Sequence, residues 1–174
     1  ASELHMPLSL HVITGKSKES KVDFSRISLF YMNIIHEVQR SLSTLVFGGV
    51  LDRFPQLKIV SAENDTGWFP HFMYRMDHAY DRHRYWLKAG QELSKMPSEY
   101  FSENIYTTFQ DDWVAFRMTD MCNPRRLMWA NDFPHSDSTW PYSQELLQKH
   151  TAHLTEEERN WILHDNVAEL YNLD

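Results

Sequence analysis

This 174-residue sequence has a single cysteine, Cys122. It therefore cannot form an internal disulfide, which excludes a disulfide-stapled secreted scaffold. Cys122 falls among helix-end residues, a place for an ordinary buried thiol rather than a nucleophile. Basic residues are few, with 17 Lys+Arg against 24 Asp+Glu and a net charge of -7. No basic stripe is present, so the electrostatic footprint of nucleic-acid binding is missing. No window reaches the roughly 18 apolar residues of a membrane-spanning helix, and the N-terminus lacks a basic region followed by an apolar run. The expectation is a soluble, unexported, cytoplasmic protein that works on a small-molecule or protein partner, with no nucleic acid and no membrane. Internal repeats and low-complexity linkers are also lacking, so residues 1–174 read as a single domain.

The chain has 42% hydrophobic residues, enough for a packed core at this length. Six Trp, eight Tyr and ten Phe favour core packing, large interfaces or a pocket walled by rings. Apolar periodicity predicts strands and helices in alternation. Residues 7–13 alternate, with Leu8, Leu10 and Val12 on one face and Ser9, His11 and Ile13 on the other. A turn at Gly15 and a polar loop over 16–23 follow. Ile27, Tyr31, Ile34, Ile35, Val38, Leu42, Leu45 and Val46 recur at steps of three and four, a helix that ends at Gly48-Gly49 with His36 on its solvated side. Residues 57–62 read as a second strand that stops at Glu63-Asn64-Asp65. Gly67 and Pro70 open another helix, with Met73 and Met76 as core filler and His78 and His83 toward water. Residues 104–109 make a third strand, and Asp111-Asp112 an acidic start for a short helix through Trp113, Phe116 and Met121. Residues 127–129 make the fourth. Two further helices cover 143–150 and, from the capping box Thr155-x-x-Glu158, the run to about Tyr171. This order predicts an α/β fold with four parallel strands and flanking helices.

The chemistry concentrates in the stretch 127–141. Its apolar strand ends on Asn131-Asp132, and Pro134 and Pro141 interrupt regular structure, so Asp132, His135 and Asp137 crowd one loop. Such residues also serve as solvated loop groups and helix caps, and no short metal-binding pattern is matched. The argument for a site is convergence. Three predicted strands end in His11, Glu63 and Asp132, and parallel order places them along one edge, where rigid sheets hold metal and catalytic groups. Taken singly, His11 also fits a satisfied core histidine, and His135 a loop brace.

Three segments carry a family resemblance: 49–60, Trp129-Ala130-Asn131-Asp132-Phe133-Pro134-His135, and Asn166-Val167-Ala168-Glu169-Leu170-Tyr171. In order and spacing the chain resembles amidohydrolase family 2, the metal-dependent hydrolases and decarboxylases related to aminocarboxymuconate semialdehyde decarboxylase. The resemblance implies a (βα)8 TIM barrel, with these strands similar to strands five to eight. A complete barrel needs about 250 residues, so the expectation is the C-terminal half of one. The family holds a divalent metal, usually zinc, with a histidine on the fifth strand and an aspartate ending the eighth, positions matched by His11 and Asp132. Glu63 stands where a histidine commonly ends the sixth strand, which resembles a subgroup carrying Glu-Asn. The His-x-His of the first strand is absent from this sequence.

The activity implied is that of a metal-dependent hydrolase acting on a small carboxylated or amide- or ester-bearing molecule. Asp132 would orient the ion and accept a proton, Glu63 would serve as ligand or general base, and His135 would contact substrate or hold Asp132. Two alternatives stand beside it: nonoxidative decarboxylation in the same family, and a non-catalytic fragment. Alone, the chain is expected to be inactive and to form a homo-oligomer through its open strand edges.

Overall fold

The computed structural model describes residues 1–11 and 24–173. Four short strands, β1 (Leu8–Leu10), β2 (Ile59–Ser61), β3 (Ile105–Phe109) and β4 (Leu127–Trp129), make one sheet in the order β1-β2-β3-β4. Every pairing is parallel, with Leu10 opposite Ser61, Ser61 opposite Thr107 and Phe109 opposite Trp129. Parallel neighbours need a crossover between them. After β1 come α1 (Ile27–Phe47) and α2 (Val50–Arg53), after β2 come α3 (Phe69–His83) and α4 (Pro97–Asn104), and after β4 come α5 (Ser143–His150), α6 (Glu156–Asn160) and α7 (Asn166–Tyr171). Val12, Ile13, the turn at Gly15 and the loop over 16–23 lie outside the described residues.

Side chains alternate across each strand, so the sheet has two apolar faces. Ile59, Ile105, Phe109 and Leu127 pack with Val38, Leu42 and Val46 of α1 and with Phe69, Met73 and Met76 of α3. On the other face Val60, Tyr106 and Met128 are closed over by Leu170 of α7. Each such burial contributes about 1.5–3 kcal/mol before entropy is counted. Only the second half of the apolar stripe on α1 is used this way: Val38, Leu42 and Val46 are buried, whereas Tyr31 is 40% exposed. The helix gives way to Gly49 in the left-handed region, at φ 65, which glycine adopts without strain. His36 is exposed and meets Gln39, and His83 stacks on Trp86 near the end of α3.

The crossover between β3 and β4 departs from expectation. In place of a helix through Trp113, Phe116 and Met121 there are single helical turns at Ala115–Arg117 and Pro124–Arg126. Phe116 is buried, but Trp113 and Met121 stay 55% and 59% exposed. Their spacing of three and five residues builds no continuous stripe, and the Asp112 carboxylate bonds to Thr66 and Gly67 instead of capping a helix start.

Buried asparagines tie the starts of the strands to their surroundings. Asn104 Nδ2 donates to the carbonyls of Pro55 and Leu57, and Asn166 Nδ2 to those of Pro124 and Leu127, at 2.8 and 2.7 Å for the second pair. Asn166 directly follows a π-helical turn, Trp161–Asp165, that widens the last helical run between α6 and α7. The Thr155–Glu158 capping box forms as expected, with both reciprocal bonds in place. Among the described residues no helix is long and apolar enough to cross a membrane.

Asn166→Ala strands two carbonyls behind a buried side chain. We expect it to lower the unfolding free energy by about 2 kcal/mol in urea titration, and a loss under roughly 0.5 kcal/mol would contradict this role. Cys122 gives a second check. Burial first, and then the Asp120 carboxylate, push its thiol up to about 12, so alkylation by iodoacetamide at pH 8 should be at least about tenfold slower in the native chain than in the unfolded one.

Candidate metal centre

The parallel register delivers the ends of β1, β2 and β4 to one edge of the sheet. His11 follows β1 directly, Glu63 lies two residues past β2, and Asp132 lies three residues past β4. The last two occupy the left-handed region, Glu63 at φ 58 and Asp132 at φ 57, as does Asp65 at φ 52. For non-glycine residues this costs on the order of 1 kcal/mol each, so the surrounding contacts must hold them there.

In the loop after β2, the Glu63 amide donates to Thr108 Oγ1 at 2.8 Å, and Asn64 Nδ2 donates to the carbonyls of Leu10 and Ala62. The loop after β4 is braced by its own groups. Ser138 Oγ donates to the Asn131 carbonyl at 2.7 Å, the Thr139 amide donates to the same oxygen, and the His135 amide donates to the Asp132 carbonyl. Phe133 and Trp140 pack edge to face at 5.0 Å across the mouth of this loop.

These loops bring Glu63, Asp132 and His135 together, with His11 reaching Glu63 from the end of β1. His11 Nε2 lies 2.7 Å from Glu63 Oε2, and His135 Nδ1 lies 3.1 Å from Asp132 Oδ2 and 4.0 Å from Glu63 Oε1. One ligand atom each from Glu63, Asp132 and His135 falls within 4.8 Å of the others. Atoms that share an ion about 2.1 Å away stand roughly 3–4 Å apart, so the spacing suits one small cation. The charges argue the same way. Asp132 Oδ2 is shut off from solvent without a hydrogen bond, because His135 stands at ion-pair distance but out of line for one. Lost hydration first, and then the facing Glu63 carboxylate, raise the Asp132 carboxyl above its usual range, against the opposing pull of His135. Two carboxylates and the His135 imidazole turned toward one another, with His11 against Glu63 at their edge, are a donor set for a hard or borderline divalent ion.

A cavity of about 290 Å³ opens beside this cluster. Phe30, Tyr31, Ile34 and Ile35, from the first turns of α1, form its apolar wall, and Glu63, His135, Asp65 and Asp137 face them. Asp65 did not figure among the candidate residues. Although open to solvent on one side, its carboxyl is pushed up to about 6, by lost hydration first and then by Asp112, Asp137 and Asp111. The signal for it was in the sequence, since Asp65 belongs to the same strand-end triplet as Glu63.

The amidohydrolase family model matches residues 3–173. Among solved structures, the chain is similar to 5-carboxyvanillate decarboxylase from Sphingomonas paucimobilis at 22% identity and TM-score 0.74, covering 99% of this chain and 51% of that one. It is similar to a dihydroxybenzoic acid decarboxylase from Polaromonas sp. JS666, solved with manganese and the inhibitor 2-nitroresorcinol, at 19% identity and TM-score 0.69, covering 99% and 51%. A third is the 5-carboxyvanillate decarboxylase from Novosphingobium aromaticivorans, complexed with manganese and 4-hydroxy-3-methoxy-5-nitrobenzoic acid, at 17% identity and TM-score 0.72, covering 99% and 49%. These are TIM-barrel amidohydrolases, and the chain spans about half their length.

The Asp132 carboxyl is raised in the folded chain, so its ionisation weighs against folding. That penalty is absent at low pH and grows as pH rises through the folded-state value. Asp132→Asn should therefore raise the melting temperature of the metal-free protein at pH 7 by about 1–3 °C. A lower melting temperature would show that the contact with His135 outweighs the repulsion.

Proposed function

Because the chain belongs to the amidohydrolase family, we propose that His11, Glu63, Asp132 and His135 are its ligands for one divalent ion at which a small carboxylated molecule is decarboxylated without oxidation. The observation that carries the reading is the buried, unbonded Asp132 Oδ2, turned toward a second carboxylate and an imidazole. Zinc and manganese both suit the donor set. When bound, such an ion would hold and polarise the substrate carboxylate. The chain's own part is positional. The α1 wall of Phe30, Tyr31, Ile34 and Ile35 takes the apolar body of the substrate and excludes water, and Asp65, which lines the same cavity with its carboxyl pushed up to about 6, carries the proton. The carbon–carbon bond to the carboxyl breaks, its electron pair stays on the substrate carbon, and that carbon takes the proton as carbon dioxide leaves.

Decarboxylation is placed ahead of hydrolysis on the company the fold keeps, since the structures named above are decarboxylases. Hydrolysis is the second reading, favoured by the raised Asp132 carboxyl, a suitable base for activating water. The homo-oligomer belongs to the proposal too. β1 and β4 are the outer strands of the sheet, and their open edges suit pairing with a further chain.

Titration with manganese should find one ion per chain, and Asp132→Ala should weaken it by at least about tenfold. Equal affinity in both proteins would remove Asp132 from the ligands. Given 2,6-dihydroxybenzoate, the manganese-loaded protein that contains this chain should release carbon dioxide. Turnover of ester or amide analogues in its place would establish the hydrolytic reading. Light scattering should find more than one chain per particle, and a monomer would count against the paired edges.

A further inference from the structure

The loop that presents Glu63 is held at both ends, and the two holds differ. At the near end β3 supplies a short one, with Thr108 Oγ1 accepting from the Glu63 amide at 2.8 Å. At the far end the hold comes from Asp112, beyond β3. One oxygen of its carboxylate, Oδ2, accepts from the Thr66 amide at 2.7 Å and from the Gly67 amide at 2.5 Å. Charge-assisted bonds of this kind are about twice as strong as neutral ones.

Between the two holds lie Glu63 and Asp65, both in the left-handed region. A strained segment of three or four residues stays in one conformation only if its ends are over-determined. The approach of Val114 and Asp112 also explains the glycine. A Cβ at position 67 would stand 2.9 Å from Val114 Cβ and 3.0 Å from Asp112 Oδ1, so a side chain there would push the clamp away.

We propose that Asp112 is a positioning residue, which fixes the loop 63–67 so that the Glu63 carboxylate stays with His11, Asp132 and His135. This rests on the metal reading above. It goes beyond that reading by giving a residue outside the cluster control over the ion. The plainer role, in which Asp112 merely satisfies amides ahead of α3, makes a different prediction: fold stability would change, and any effect of Asp112 on metal affinity would be the same with and without Glu63.

The test is a double-mutant cycle with manganese alone as probe, read by calorimetry, with circular dichroism confirming that each variant folds. Asp112→Ala should weaken manganese by about tenfold in the otherwise native chain. With Glu63→Ala already present it should weaken it less than about twofold, because the group it positions is gone. Asp112→Asn keeps an acceptor in place and should stay within about threefold of native. Gly67→Ala leaves Asp112 intact but displaces it, and should reproduce the loss even if Asp112→Ala does not fold. Native affinity in both Asp112→Ala and Gly67→Ala, or an equal loss with and without Glu63, overturns the proposal while the metal reading stands. A native chain that binds no manganese overturns the metal reading and this inference with it.

Discussion

Two carboxylates that face each other across a partly dehydrated gap repel, and the loops after β2 and β4 hold Glu63 and Asp132 in that arrangement. Asp132 has 23% of its side chain exposed, and one of its oxygens is shut off from water. His135 and His11 offset part of the repulsion, but the carboxyl of Asp132 remains raised. A chain selected for stability alone would place a neutral side chain here. The arrangement makes sense when a cation completes it, because the same contacts that weigh against the free protein then become ligand bonds.

Holding such a cluster requires a scaffold that does not relax. The parallel sheet sets the spacing between strand ends, since its register fixes Leu10, Ser61, Thr107 and Leu127 side by side. The apolar core behind the sheet keeps that register. The loops then convert strand ends into side-chain positions through left-handed turns at Glu63 and Asp132, each braced by bonds to a neighbouring strand or within its own loop. At the opposite end of the strands, Asn104 and Asn166 lock the backbone with paired bonds to buried carbonyls. Rigidity at one end and strain at the other are what a preorganised site needs.

Much of this is legible from local patterns. The alternation of strands and helices announces a parallel sheet, and apolar runs that stop at His11, Glu63 and Asp132 announce which side chains share its edge. The structure sets Glu63 and Asp132 together with His135, and places His11 against Glu63 at the edge of that group. What local patterns conceal is contact across long stretches of sequence. Asp112 reads as an acidic helix start because its two amide partners lie some 45 residues earlier. Asn166 looks like one more polar residue in a terminal helix until its side chain is seen against Pro124 and Leu127. The apolar stripe of α1 is correct as a helix, yet its first turns wall the cavity, with Ile35 meeting both the cavity and the core. Periodicity reports a face, not what the face meets.

The central claim is that one divalent ion completes the cluster, and a crystal of the protein grown with manganese tests it most directly. Anomalous scattering should place a single ion about 2.1–2.3 Å from carboxylate oxygens of Glu63 and Asp132 and from ring nitrogens of His11 and His135. An ion bound elsewhere, or a cluster that keeps its present spacing in saturating manganese with no anomalous peak, would contradict it.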